Sequence, residues 1–87
     1  MEQINDYPMT DVGRQLHERL QEVAVKRGLS DHSLIRTLGI TRQNYLRLLA
    51  SPRGPTLRTL CQFAAALKLD LAELVRGIEV TDVGVTW

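Results

Sequence analysis

Apolar residues in this chain recur mostly at helical spacing, and each periodic stretch is bracketed by a capping residue and a breaker. Thr10 opens the first stretch, with Asp11 in its first turn and Val12, Leu16, Leu20, Val23 and Ala24 along one face, which predicts a helix to about Lys26. Gly28 follows where a left-handed cap residue belongs, and Leu29 is placed for the apolar contact that accompanies such a cap. Ser30 caps a short second helix carrying Leu34, Ile35 and Leu38, which Gly39 closes after two turns. Beyond Ile40, Thr41 opens a third helix with Tyr45, Leu48 and Leu49 on its inner side. Ser51, Pro52, Gly54 and Pro55 then make residues 50–56 a loop carrying Arg53. Thr56 caps a fourth helix, with Leu60, Phe63, Ala64 and Leu67, through about Lys68. Asp70 caps a fifth with Leu71, Leu74 and Val75, stopped by Gly77. Cys61 lies beside the stripe of the fourth helix and reads as a small buried hydrophobe.

The two ends differ from this middle. Residues 1–9 show no period, are broken by Pro8 and read as a flexible N-terminal arm, leaving residues 10–77 as the helical domain. In residues 78–87, Ile78, Val80, Val83, Val85 and Trp87 alternate with Glu79, Thr81, Gly84 and Thr86, with a phase slip at Asp82. This segment is either a tail or a short C-terminal strand. A lone strand needs a partner, and pairing with its copy in a second subunit would make Ile78, Val80, Val83, Val85 and Trp87 a dimerisation element. The fold class is therefore all-α, a five-helix bundle with a short C-terminal strand or tail.

With 87 residues, 44% of them hydrophobic, the chain can build one core and no second. A single cysteine excludes an internal disulfide and fits a reducing cytoplasm. No apolar run reaches the roughly 18 to 20 residues of a membrane span or the length of a signal segment, so a cytoplasmic protein without a membrane partner is expected. His17 and His32 stand apart, without cysteine or paired acids at ligand spacing, and read as surface residues rather than a metal site. There is no glycine-rich phosphate loop and no serine, histidine and acid arrangement, so neither a cofactor nor an enzyme is expected.

The formal net charge of +1 conceals a segregation of sign. Between His32 and Leu69 stand Arg36, Arg42, Arg47, Arg53, Arg58 and Lys68, and no acid, whereas acids outnumber bases on both sides of that window. The basic window contains two short helices joined by Gly39, Ile40 and Thr41, the turn length of a helix-turn-helix unit. On the second helix, Gln43 and Arg47 fall opposite the apolar side, with Arg42 and Asn44 flanking them at the N-terminal end. That end meets base edges when such a helix enters the major groove, where arginine forks onto guanine and asparagine or glutamine pairs with adenine. Arg42, Gln43, Asn44 and Arg47 are thus the candidate base readers. Thr41, Arg53 in the loop and Arg58 in the first turn of the fourth helix are candidate phosphate contacts.

Over about residues 12–76, these motifs resemble the phage-repressor type of helix-turn-helix domain, the Cro and lambda-repressor-like family. The resemblance rests on Leu29-Ser30 with Leu34, on Leu38-Gly39-Ile40-Thr41-Arg42 with Tyr45, and on Pro55-Thr56-Leu57 through Leu60, Ala64, Leu67, Asp70 and Glu73-Leu74. It implies sequence-specific binding of a double-stranded DNA operator, as a homodimer on an inverted repeat, with transcriptional repression as the outcome. Three positions depart from the family pattern. Ile35 stands where the family has a small alanine, Asp31 where it has a glutamine facing phosphate, and Leu46, near the exposed side, where it has a polar residue. Leu46, Asp31 and the apolar tail motivate an alternative on the same fold: a protein-interaction module, either the antitoxin of a toxin-antitoxin pair or an adaptor for another regulator.

Overall fold

A computed structural model describes residues 9–79 as five helices: α1 (Asp11–Arg27), α2 (Asp31–Leu38), α3 (Arg42–Ala50), α4 (Leu57–Leu67) and α5 (Leu71–Leu74). The N-terminal arm up to residue 8 and the alternating segment from Val80 onward, including Val83, Val85 and Trp87, lie outside the described residues. Four of the five helix starts use the same device. The hydroxyls of Thr10, Ser30, Thr41 and Thr56 accept from the backbone N–H groups of Gly13, Ser33, Asn44 and Thr59 at 3.0 to 3.1 Å. Each satisfies one of the amides that a helix leaves without an internal partner. At α5 the bond runs the other way, with the Glu73 carboxylate accepting from the Asp70 N–H at 3.2 Å.

Helix ends follow the glycines in two cases and break the rule in a third. Gly28 and Gly39 adopt left-handed conformations with φ of 68° and 78°. Behind Gly28 the Leu29 N–H reaches back to the Ala24 carbonyl at 2.8 Å, and Leu29 packs on the core. α4 ends with the same backbone geometry on a lysine: Lys68 has φ 57°, and the Leu69 N–H donates to the Ala64 carbonyl at 2.8 Å. No glycine marks this stop. A Cβ in that conformation costs about 1 to 2 kcal/mol, which the apolar docking of Leu69 behind it holds in place.

The core joins Leu16, Leu20, Val23 and Ala24 of α1 to Leu34, Ile35 and Leu38 of α2, Tyr45 and Leu49 of α3, Phe63, Ala64 and Leu67 of α4, and Leu74 of α5. Ile35, larger than the family's alanine, is taken into this core at 6% exposure. Leu48 is half-buried against the core rather than within it, and Leu46, expected near the outer side, is half-buried there too. Cys61 corrects the sequence reading: it is exposed. At 100° per residue it stands well round α4 from the line of Leu60, Phe63, Ala64 and Leu67, outside the stripe that the core covers.

α1 and α3 meet more closely than side chains would allow. Gly13 is buried, and a Cβ placed there would overlap the carbonyl oxygen of Leu49. The same carbonyl accepts from the Thr10 backbone N–H at 3.1 Å and from the Thr10 hydroxyl at 3.3 Å. Leu49 lies in the last turn of α3, where carbonyls lack a helical partner, so α1's start serves as α3's end cap.

Two stability changes of opposite sign follow from these backbone facts. Gly13→Ala should destabilise the fold by roughly 1 to 3 kcal/mol in urea melts, because overpacking against backbone outweighs the gain of about 1 kcal/mol in helix propensity. Lys68→Gly should raise stability by about 0.5 to 1 kcal/mol, the left-handed penalty less the glycine's unfolded-state entropy. That is a rise of a few degrees in Tm, readable by circular dichroism.

Candidate nucleic-acid interface

α2 and α3 are joined through Gly39, Ile40 and Thr41, with Gly39 supplying the left-handed turn and Ile40 half-buried beneath it. α3 then places its residues by periodicity. Tyr45 and Leu49 go inward at 2% and 0% exposure, while Arg42, Gln43, Asn44 and Arg47 are all exposed. The structure thus brings the four expected base readers to the outer side and flanks of one helix. Thr41 is exposed at its start; its hydroxyl accepts from the Asn44 N–H, and its own hydrogen remains a donor. Arg53 is exposed on the loop after α3, and Arg58 is exposed in the first turn of α4. Of the expected dimerisation residues, Ile78 alone is described. It is half-buried against the core, and its N–H donates to the Val75 carbonyl at 3.1 Å.

The inner side of α3 carries a polar link that the sequence did not reveal. The Tyr45 hydroxyl lies 2.9 Å from His17 Nδ1 of α1, and the two rings sit 5.9 Å apart between centroids. His17, expected on the surface, is half-buried by this contact. Burial pushes the Tyr45 phenol well above its ordinary value, with the nearby Asp31 carboxylate adding to the shift and Arg42 opposing it. Tyr45 therefore stays a neutral hydrogen-bonding group between the two helices.

Charge is arranged differently on α1 and on the elements that follow it. On α1, Arg14 pairs with Asp11 at 2.7 Å and Glu18 at 3.1 Å, which raises its guanidinium pKa, chiefly through the Asp11 hydrogen bond. Arg19 pairs with Glu22 at 2.8 Å and donates to the Glu73 carbonyl at 2.9 Å. Arg36, Arg42, Arg47, Arg53 and Arg58 make no ion pair or side-chain hydrogen bond among the described residues. Two of them occupy the wrong ends of their helices for stability. α1, α2 and α5 carry an acid in the first turn, as the positive end of a helix favours, whereas α3 and α4 carry none and begin with Arg42 and with Leu57-Arg58. Helix N-termini that present amides and arginines together are suited to an anion.

Among the described residues, no group of His, Cys, Asp and Glu is placed to hold a metal ion, and no helix is long and apolar enough to cross a membrane. An open trough of about 490 Å³ along α1 is lined by Glu18, Gln21, Glu22, Val25 and Lys26, which is not an anion-binding set.

A short helix, a glycine turn and a second helix with a hydrogen-bonding, cationic outer side, mounted on a helical bundle, define a helix-turn-helix domain. Comparison with known families agrees. Residues 19–79, well over half of the chain, match the Cro/C1-type HTH DNA-binding domain, and the chain belongs to that family. The matched span begins within α1 and takes in α2 to α5. Neither the curated proteins nor the solved structures give a match.

The tyrosine link can be read through its titration. Above the ordinary tyrosine pKa of about 10, the unfolded chain loses this proton while the buried phenol keeps it. The folded state then binds more protons, so the stability that Tyr45 contributes is lost as pH rises beyond that value. Tyr45→Phe should cost about 0.5 to 1.5 kcal/mol at neutral pH through the lost hydrogen bond. It should also flatten the alkaline decline, so that wild type and variant converge in denaturant melts between neutral pH and pH 11.

Proposed function

We propose that this DNA-binding domain is a transcriptional repressor that acts as a homodimer on an inverted-repeat operator, with α3 in the major groove. The observation that carries the proposal is the placement of unpaired arginines at the first turns of α3 and α4 and along the outer side of α3. At the first turns Arg42 and Arg58 work against the helix dipole, a placement that an anion bound at those ends would offset. Gln43, Asn44 and Arg47 offer the hydrogen-bonding groups that base edges match, with Arg42 at the flank where α3 adjoins α2. Thr41, Arg53 and Arg58 contact phosphates, the first through its remaining hydroxyl hydrogen and the other two as charges. A dimer formed through residues 78–87 would set two such helices about 34 Å apart, one turn of the duplex. Repression then needs only occlusion of the polymerase.

Selection of bound duplexes from a random pool should return a palindromic consensus with half-sites about one helical turn apart; a consensus without symmetry would overturn the dimeric reading. On that consensus, Arg47→Ala should lose roughly 1 to 3 kcal/mol and relax the preference at one position, whereas Arg53→Ala should weaken all sequences alike and reduce the salt slope by about one. Equal losses on every sequence for both variants would count against base reading by Arg47.

A further inference from the structure

Between the outer side of α2 and the start of α3 lies a cleft of about 240 Å³, lined by His32, Ile35, Arg36, Ile40, Thr41 and Arg42. We infer that this cleft is a phosphate clamp, in which Arg36 and Arg42, the latter expected from the sequence among the base readers, close on one DNA backbone phosphate beside Gln43, Asn44 and Arg47 of α3. This rests on the DNA-binding reading and adds a contact to it.

The cleft is built for an anion by its walls. Arg36 and His32, four residues apart, lie on the same side of α2, and Arg42 and the Thr41 hydroxyl face them from the next helix. Both arginines are exposed and without a carboxylate partner among the described residues. No acid lines the cleft. The nearest one on α2, Asp31, is turned away: its Oδ1 accepts from Gln21 Nε2 of α1 at 2.6 Å. The buried Ile35 and the half-buried Ile40 supply its apolar lining, and hydrogen bonds from guanidinium groups to a phosphate are of the strong, charge-assisted kind. The volume falls below the range of roughly 300 to 1,000 Å³ typical of sites for drug-sized molecules, and suits a group as small as a phosphate.

Asp31, the acid of α2, sits at its first residue and is tied to α1, more than a turn away from Arg36 at the edge shared with Arg42. Phosphate contact at this edge fixes the register of α3 without reading sequence.

The test is the salt dependence of binding, measured by fluorescence anisotropy on two labelled 20-base-pair duplexes, the selected consensus and a scrambled one. Arg36→Gln should reduce the slope of log affinity against log salt by about one on both duplexes. Its loss of affinity between 50 and 200 mM salt should then be roughly three- to four-fold smaller than the wild type's. Preference for consensus over scrambled DNA should stay unchanged, and Arg36→Lys should restore the slope. Thermal melts of each variant confirm that the fold is intact; Arg36 is exposed and holds no partner that its loss would strand. A wild-type slope in Arg36→Gln would overturn the clamp while leaving the DNA reading intact. A change in preference would overturn it as well, since Arg36 would then read bases. Absence of binding by the wild type to either duplex would overturn the DNA reading itself.

Discussion

The bundle depends on the approach of two backbones, at Gly13 of α1 and Leu49 of α3. Only a residue without a Cβ lets α1 settle against the end of α3. Once there, Thr10 caps both helices: its hydroxyl accepts from Gly13, and its N–H and hydroxyl donate to Leu49. The Tyr45 to His17 bond fixes α3 to α1 one turn earlier. α3 is therefore held by its inner side and its C-terminal end, through contacts that use none of the exposed residues Arg42, Gln43, Asn44 or Arg47. The rigid mounting and the free outer side are two results of one packing arrangement.

Electrostatics divides the molecule in the same way. α1 pairs Arg14 and Arg19 with acids three or four residues away, an arrangement worth only a few tenths of a kcal/mol per pair in water but enough to neutralise that side. The window from His32 to Leu69 contains no acid to do the same, and its arginines project unpaired. A total charge near zero is thus compatible with a strongly polarised surface. The polarity is reinforced by the N-termini of α3 and α4, whose partial positive charge no first-turn carboxylate offsets.

Much of this was legible in the sequence because it depends on neighbours. Thr10, Ser30, Thr41 and Thr56 cap where a hydroxyl three residues before a free amide must cap, and Gly28 and Gly39 turn the chain where a left-handed residue is needed. The outer side of α3 follows from the same 3.6-residue period that buries Tyr45 and Leu49. What escaped depends on distant partners. Gly13 reads locally as a weak point in a helix, and its role appears only against the backbone of a residue 36 positions on. Lys68 takes a glycine's conformation because Leu69 and the Ala64 carbonyl hold it there. Cys61 was misplaced because adjacency in sequence to Leu60 says little about facing on a helix, where one residue turns through about 100°. In the sequence Arg36 is one of six basic residues in its window, and only the cleft it lines with Arg42 sets it apart.

The residues that hold α3 are separate from those it exposes, so the two sets can change independently. Gln43 and Arg47 are exposed and bonded to nothing else among the described residues, so replacing them leaves what holds α3 undisturbed. Tyr45, Leu49 and Gly13 have the opposite character: each is buried in the α1 to α3 contact, and changing one moves the whole reading helix. The exposed set can vary while the α1 to α3 contact stays fixed, and the position of α3 is set at the glycine, on the side of the helix opposite Gln43 and Arg47.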